Sequence, residues 1–121
     1  MTRKGYVAEY EVKKILQKQF GTNNVIKVAI GSFGSDYIVV GKGEIIKCVE
    51  VKECHKKKYY PSEKELSQFK RIKTFCDEHQ ITGEVWVRYL RKPLEISRIE
   101  DYIKSKEKHG TNKNKQLWKE T

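Results

Sequence analysis

The spacing of hydrophobic positions along the chain predicts helices that alternate with strands. Apolar residues recur every three or four positions in residues 3–20 and from Leu66 to Cys76, which is the pattern of amphipathic helices. Elsewhere apolar and polar residues alternate with period two, as is typical of strands. The expected architecture is therefore a central mixed sheet flanked by helices, in three layers. The predicted strands are 25–30, 37–40, 45–52 and 84–90.

Local signals mark the ends of the predicted helices. Gly21 follows the first helix and supplies a C-terminal stop. Ser62 and Glu65 form a capping-box sequence after a proline and open the second helix. Ser97 and Glu100 repeat that spacing, which predicts a last short helix near the end of the folded part.

The segment 45–52 carries the most informative charged residues. Glu50 and Lys52 are two positions apart on a predicted strand, so they share a face at roughly 6.5–7 Å between Cα atoms. A glycine-bounded connection at 41–43 predicts a hairpin with the preceding strand. Antiparallel pairing across that hairpin would bring Asp36 beside Glu50.

Two carboxylates held close together repel, by about 4 kcal/mol at about 4 Å if the effective dielectric is near 20. A divalent cation removes this repulsion, and oxygen ligands favour Mg²⁺, with Mn²⁺ as a substitute, over zinc. Lys52 could then stabilise negative charge on a phosphodiester or orient the attacking water. The simpler alternative is an ordinary strand pair with a surface ion pair.

This Asp, hairpin, Glu-x-Lys arrangement resembles the PD-(D/E)xK nuclease superfamily. More narrowly, it is similar to the Holliday-junction resolvases of archaea and archaeal viruses, over roughly residues 3 to 103. The resemblance implies a three-layer, restriction-endonuclease-like α/β core. It is carried by Arg3-Lys4-Gly5, Glu9, Gly31-Ser32, Asp36, Glu50-Val51-Lys52 and Gln68.

The resemblance also implies roles for particular residues. An acid of the first helix, the Asp and the Glu form the metal site, the Lys joins them in catalysis, and a loop serine assists. Gln68 lies off the apolar stripe of its helix, either as a supporting amide that orients Lys52 or a water, or as a solvated position. On this chain the implied metal ligands are Glu9, Asp36 and Glu50, and the implied catalytic residues are Glu9, Ser32, Asp36, Glu50 and Lys52.

Two positions depart from the family pattern, and one choice remains open from the residues alone. Tyr10 stands where many relatives have arginine after the helix Glu. Val28 stands where several have arginine before the loop, so we expect Lys27 to supply the local charge there. On the first helix Glu9 and Glu11 both flank the apolar stripe. Periodicity does not choose between these two acids, whereas the resemblance chooses Glu9.

The charge balance indicates a polyanionic partner. Lysine and arginine outnumber the acids 26 to 16, for a formal net charge of +10. Nucleic acid is the commonest such partner. No basic amphipathic helix with a broad apolar face stands out, so we expect no membrane binding. The residues expected to contact DNA phosphates are Arg3, Lys4, Lys27, Lys56, Lys57 and Lys58.

The cysteines are predicted to be free thiols. Cys48, Cys54 and Cys76 lack CxxC spacing, and Cys48 and Cys76 fall at core positions. A zinc site would have to recruit His55 and His79 over irregular spacings, and we do not expect one. No apolar run reaches the ~20 residues of a membrane span, and the first residues lack a signal-peptide pattern, so a cytoplasmic location is expected.

One domain accounts for most of the chain. Residues 1–106 are assigned to the nuclease domain, and residues 107–121 to a basic tail that is predicted to be disordered. The tail carries Leu117 and Trp118, either as a docking motif for a protein partner or as an incidental apolar pair.

The first functional hypothesis is a Mg²⁺-dependent endonuclease that resolves four-way DNA junctions by paired nicks. Non-catalytic coating of duplex DNA is one alternative, and a nickase or flap nuclease of the same fold is another. Two cuts in one branched DNA require two sites, so we expect a homodimer. The strand of Trp86 and the helix from Phe69 to Phe75 are the predicted dimer seam.

Overall fold

The computed structural model describes residues 3–28 and 36–104, with the backbone alone for 3–6. In that part of the chain no helix is long and apolar enough to cross a membrane. The elements follow the predicted alternation of helices and strands. They are α1 (Arg3–Phe20), β1 (Val25–Lys27), β2 (Tyr37–Gly41), β3 (Glu44–Cys54), α2 (Glu63–His79), β4 (Thr82–Tyr89), β5 (Glu95–Arg98) and α3 (residues 99–104).

The five strands form one mixed sheet in the order β1-β2-β3-β4-β5. Neighbouring strands are antiparallel, except that β3 and β4 run parallel. A parallel pair needs a crossover connection, and α2 supplies it. The predicted three-layer fold with a central mixed sheet is thereby confirmed.

Each face of the sheet has its own core. Val12 and Leu16 of α1 pack on one face, with Val49 and Trp86 of the sheet. On the other face α2 and α3 pack against the even-numbered side of β3, as the position of Cys48 shows. Because strand side chains alternate between faces, Glu50 and Lys52 lie on the side of α2.

The predicted capping box at the start of α2 is confirmed. The Glu65 N–H donates to Ser62 Oγ at 3.1 Å, and the Ser62 N–H donates to Glu65 Oε1 at 2.9 Å. The first helix ends at Phe20, and Gly21 adopts a φ of 103°, a conformation that favours glycine. The capping box orders the first turn of α2, which carries Glu65.

The last capping prediction was wrong in detail. Ser97 does not begin a helix, because it lies on β5 and pairs with Val85 of β4, and the helix starts at residue 99. This strand was not predicted because its four residues are mostly exposed and show no clean alternation. The extended conformation of such an edge strand depends on pairing with the neighbouring strand, here β4, rather than on its own sequence pattern.

Two side chains of the predicted dimer seam are buried within the protomer. Trp86 is 2 % exposed, and its Nε1–H donates to Glu84 Oε1 at 2.9 Å. Phe69 is fully buried between α2 and the sheet. Both side chains are already used by the protomer core, so they are not available to a partner.

The three cysteines are free and buried, as predicted for Cys48 and Cys76.

Candidate active site

Asp36 is held against β3 by its side chain as well as by its backbone. The Val51 N–H donates to Asp36 Oδ2 at 2.7 Å, and the Asp36 N–H donates to the Val49 carbonyl at 3.1 Å. The hairpin register, with Tyr37 opposite Val49, continues into these contacts. Asp36 therefore lies beside the Glu-x-Lys segment, as the hairpin predicted.

Glu50 is a buried carboxylate that is only half satisfied. The residue is 3 % exposed, and its Oε2 lies 3.2 Å from Lys52 Nζ. Its Oε1 is buried and has no hydrogen-bond partner among the described residues. Burial, and next the charge of Asp36, raise the pKa of Glu50 to about 8 despite the nearby Lys52.

Lys52 is shared between two carboxylates from different elements. Its Nζ lies 3.2 Å from Glu50 Oε2 and 3.4 Å from Glu65 Oε2. Burial acts to lower the pKa of Lys52, but the two carboxylates outweigh it and raise the pKa above its usual value. Lys52 is therefore a cation held in place by two carboxylates. Gln68 is half-buried and follows Glu65 by one turn on the same side of α2.

Glu65 is the site residue that sequence reasoning missed. It was predicted only as a capping residue, yet its second oxygen reaches Lys52. Burial acts to raise the pKa of Glu65, but the Ser62 N–H, the nearby Tyr59 hydroxyl and Lys52 lower it. That hydroxyl faces Glu65 without a hydrogen bond of ordinary geometry in the described part of the chain. The usable signal was the position of Glu65 in the first turn of the helix that follows the strand of Lys52.

Glu9 projects from α1 toward the same site. Lys27 Nζ donates to Glu9 Oε1 at 2.6 Å, and the Tyr37 hydroxyl donates to the Glu9 carbonyl at 3.3 Å. Burial is the main cause of a raised pKa at Asp36, and the charge of Glu9 adds to it. Glu9 also contributes to the raised pKa of Glu50, so its carboxylate lies within electrostatic reach of both acids.

Glu11, the other acid of α1, is engaged elsewhere. Arg88 on β4 donates from Nε to Glu11 Oε1 at 2.9 Å and from a terminal nitrogen to the second carboxylate oxygen. This bidentate pair holds α1 against the sheet. Of the two acids that periodicity left open, Glu9 is the one near Asp36.

The remaining predicted residues fall into three groups. Ser32 lies outside the described residues, and nothing is described of the Arg3 and Lys4 side chains. Residues 56–58 are exposed in the turn after β3. Gln68 and Lys27 are near the site, through α2 and the Glu9 pair respectively.

The donor set suits a hard divalent cation, although the ligands are not gathered. Across residues 3–28 and 36–104 no three His, Cys, Asp or Glu side chains are arranged to hold a metal ion. Glu50 nevertheless offers a buried oxygen with no hydrogen-bond partner in the described part of the chain, and the Asp36 carboxylate is the other acid beside it. Carboxylate oxygens of this kind fit Mg²⁺ or Mn²⁺, which would satisfy the orphaned oxygen.

The five-stranded mixed sheet and its flanking helices have the restriction-endonuclease-like fold. Among solved structures, the chain is similar to Hjc, a Holliday junction resolvase from the archaeal hyperthermophile Archaeoglobus fulgidus, with a TM-score of 0.60 and 21% sequence identity. The similarity covers 80% of this chain and 74% of that one. No protein-family model matches the sequence, and no curated protein matches it significantly. The likeness establishes the fold.

Proposed function

We propose that this protein is a metal-dependent endodeoxyribonuclease that resolves four-way DNA junctions by paired nicks. The observation that carries the proposal is the buried Glu50, with an oxygen that has no described partner, between Asp36 and Lys52. The similar solved structure is described as a Holliday junction resolvase, which supports this choice of substrate.

Asp36 and Glu50 would hold the metal ion, with Glu9 as a third ligand. A bound Mg²⁺ or Mn²⁺ supplies Lewis-acid activation of water and of the phosphodiester. The chain contributes two prepositioned carboxylates, because the Val51 N–H holds Asp36 and the strand holds Glu50. Their mutual repulsion is then offset when the ion binds.

Lys52 is the proposed catalytic cation. Its ammonium group stabilises charge that develops on the phosphate oxygens and orients the attacking water. Glu65 keeps the ammonium on the side of α2, where Gln68 can add a hydrogen bond to water or substrate. Ser32 in the preceding loop is proposed to assist at the phosphate.

The DNA is proposed to run across the basic residues around this site. Lys56, Lys57 and Lys58 are exposed in the bend that follows β3, the strand of Lys52. Exposed lysines neutralise phosphates without reading sequence, which suits selection of DNA by shape. Arg3, Lys4, Lys27 and the tail 107–121 are proposed to extend this contact, and the tail also offers a site for a protein partner.

A homodimer is proposed because each chain carries one site and a junction needs two cuts. Ile26 and Ile46 stay 44% and 39% exposed, so they replace Trp86 and Phe69 as seam candidates. Ile26 is opposite Ile38, which packs on the α2 side of the sheet. In residues 3–28 and 36–104, α2 contacts β3 and β4 rather than this apolar edge, which we propose meets a second copy.

The rival of a non-catalytic DNA-binding protein explains the net charge but not the acids. Such a protein has no use for a buried, half-satisfied carboxylate beside DNA phosphates, because burial of that group costs about 1–3 kcal/mol. A nickase or flap nuclease would keep the same site and differ only in the DNA it selects.

The test is cleavage of a synthetic immobile four-way junction beside a linear duplex of matched arm sequence. With Mg²⁺ present we expect symmetric nicks in the junction and far slower cleavage of the duplex, while chelation of the metal abolishes both. Equal cleavage of the two substrates would replace the resolvase with a general nickase. Absence of cleavage at any metal concentration would overturn the nuclease proposal.

A further inference from the structure

Lys27 occupies the carboxylate of Glu9 through an arrangement with several contacts. Its Nζ donates to Glu9 Oε1 at 2.6 Å and lies 5.2 Å from the centre of the Tyr37 ring. The same tyrosine donates through its hydroxyl to the Glu9 carbonyl at 3.3 Å. The ammonium group is thus placed by both α1 and β2, rather than resting on one surface contact.

This ion pair engages Glu9, which is the proposed third metal ligand. Glu9 is within electrostatic reach of Asp36 and Glu50, yet no three acids of the described segments form a metal-holding group. A single carboxylate oxygen that accepts from an ammonium group at 2.6 Å offers less to a second cation. A divalent ion would also be repelled by the ammonium charge at this range.

We propose that Lys27 is a built-in counter-cation that holds Glu9 while the site lacks metal and competes with the metal ion for it. The inference rests on the proposed function, since it concerns the same metal site. When the ion binds Glu9, the ammonium group leaves the carboxylate. The Lys27 side chain is 48% exposed, so solvent and a DNA phosphate are open to it after release.

Such an exchange makes Lys27 a positioning residue for the metal site. The charge at Glu9 is neutralised in both states, first by Lys27 and then by the ion. The free chain therefore avoids three uncompensated acids near one another, and the affinity for metal is set below what the acids alone would give. In this exchange the Lys27 ammonium group becomes available to a DNA phosphate once the metal ion has bound the Glu9 carboxylate.

The test compares Mn²⁺ binding to the intact chain and its variants by titration calorimetry, without DNA. Lys27→Met removes the charge and keeps the length of the side chain, and we expect it to bind Mn²⁺ about fivefold more tightly, as for loss of a partly exposed ion pair. Lys27→Arg keeps the cation and should stay near wild type.

Lys47→Met is the matched control. Lys47 Nζ also pairs with a glutamate, Glu84 at 3.2 Å, and also lies 5.2 Å from the centre of an aromatic ring, that of Phe20. It touches none of the proposed ligands, so this variant should bind Mn²⁺ as the wild type does. If Lys27→Met folds poorly, Lys27→Gln takes its place.

Unchanged or weaker Mn²⁺ binding by Lys27→Met would contradict the proposed role of Lys27 as a counter-cation. In that case wild-type affinity and cleavage would still stand, so the proposed function would survive. If the wild-type chain binds no Mn²⁺, both the proposed metal site and the proposed role of Lys27 are wrong.

Discussion

Asp36 accepts a hydrogen bond from the backbone N–H of Val51 at 2.7 Å, so one proposed metal ligand also ties the start of β2 to β3. Asp36→Ala should therefore destabilise the fold by about 1–3 kcal/mol, because a partly buried N–H loses its acceptor. Asp36→Asn keeps an acceptor oxygen and should cost less. Urea denaturation without metal measures both, and equal stability of the alanine variant and the wild type would contradict this double role.

Glu50 predicts an unusual pH dependence in the absence of metal. Its pKa is about 8 in the folded chain, above the ordinary value of 4.5. The folded state therefore holds a proton that the unfolded state releases, so the stabilisation is complete below about pH 4.5 and is lost as the pH rises through about 8.

Glu50→Gln removes this titration. Between pH 5 and pH 9 the wild type should lose on the order of 4 kcal/mol relative to Glu50→Gln. Mg²⁺ at pH 9 should restore stability to the wild type alone, because the glutamine carries no charge for the ion to neutralise. Parallel pH profiles of the two proteins in denaturant titrations would mean that Glu50 is ionised in the ordinary range.

Glu65→Gln separates the two roles of Glu65. Glutamine at this position can still complete the capping box with Ser62, so stability should change little. The charge that holds Lys52 is lost, and we expect single-turnover cleavage to slow about tenfold with junction binding intact. Glu63→Gln, in the same first turn, is the control. Cleavage at the wild-type rate would leave Glu65 with capping alone.

The dimer proposal predicts a sedimenting mass of about twice the 14.3 kDa chain. Ile26→Asp places a charge in the proposed seam and should yield monomers that bind junctions more weakly. Leu90→Asp changes a residue that is also exposed, at 60%, but follows β4 on another part of the surface, so it should leave the dimer intact. A monomeric wild type at micromolar concentration would exclude the paired-site mechanism.

Local sequence patterns predicted most of the helices and strands. They did not predict which side chains from different elements pair, because those contacts depend on packing. The alternation in 45–52 and the Ser62–Glu65 spacing are consequences of neighbouring residues, and both features formed as predicted. The contacts from Lys52 to Glu65 and from Lys27 to Glu9 depend on how separate elements stack. Strand β5 was missed for the same reason, since its neighbour β4 decides its conformation.

The candidate site shows the same division. Period-two geometry and one hairpin were enough to predict that Asp36 lies beside Glu50 and Lys52. They did not distinguish Glu9 from Glu11, because both flank one helical stripe. Arg88, distant in sequence, engages Glu11, and no pattern along α1 predicts that pair.

The most direct test of the nuclease site is the cleavage of a four-way junction by Asp36→Asn in Mg²⁺, measured beside its binding of the same DNA. We expect a loss of at least roughly 100-fold in the single-turnover rate, with junction affinity within about twofold of wild type, since no phosphate-binding cation is removed. Asp77→Asn, which changes an exposed acid paired with Lys73 on α2, should cleave normally. Full cleavage by Asp36→Asn would contradict the assignment of this site.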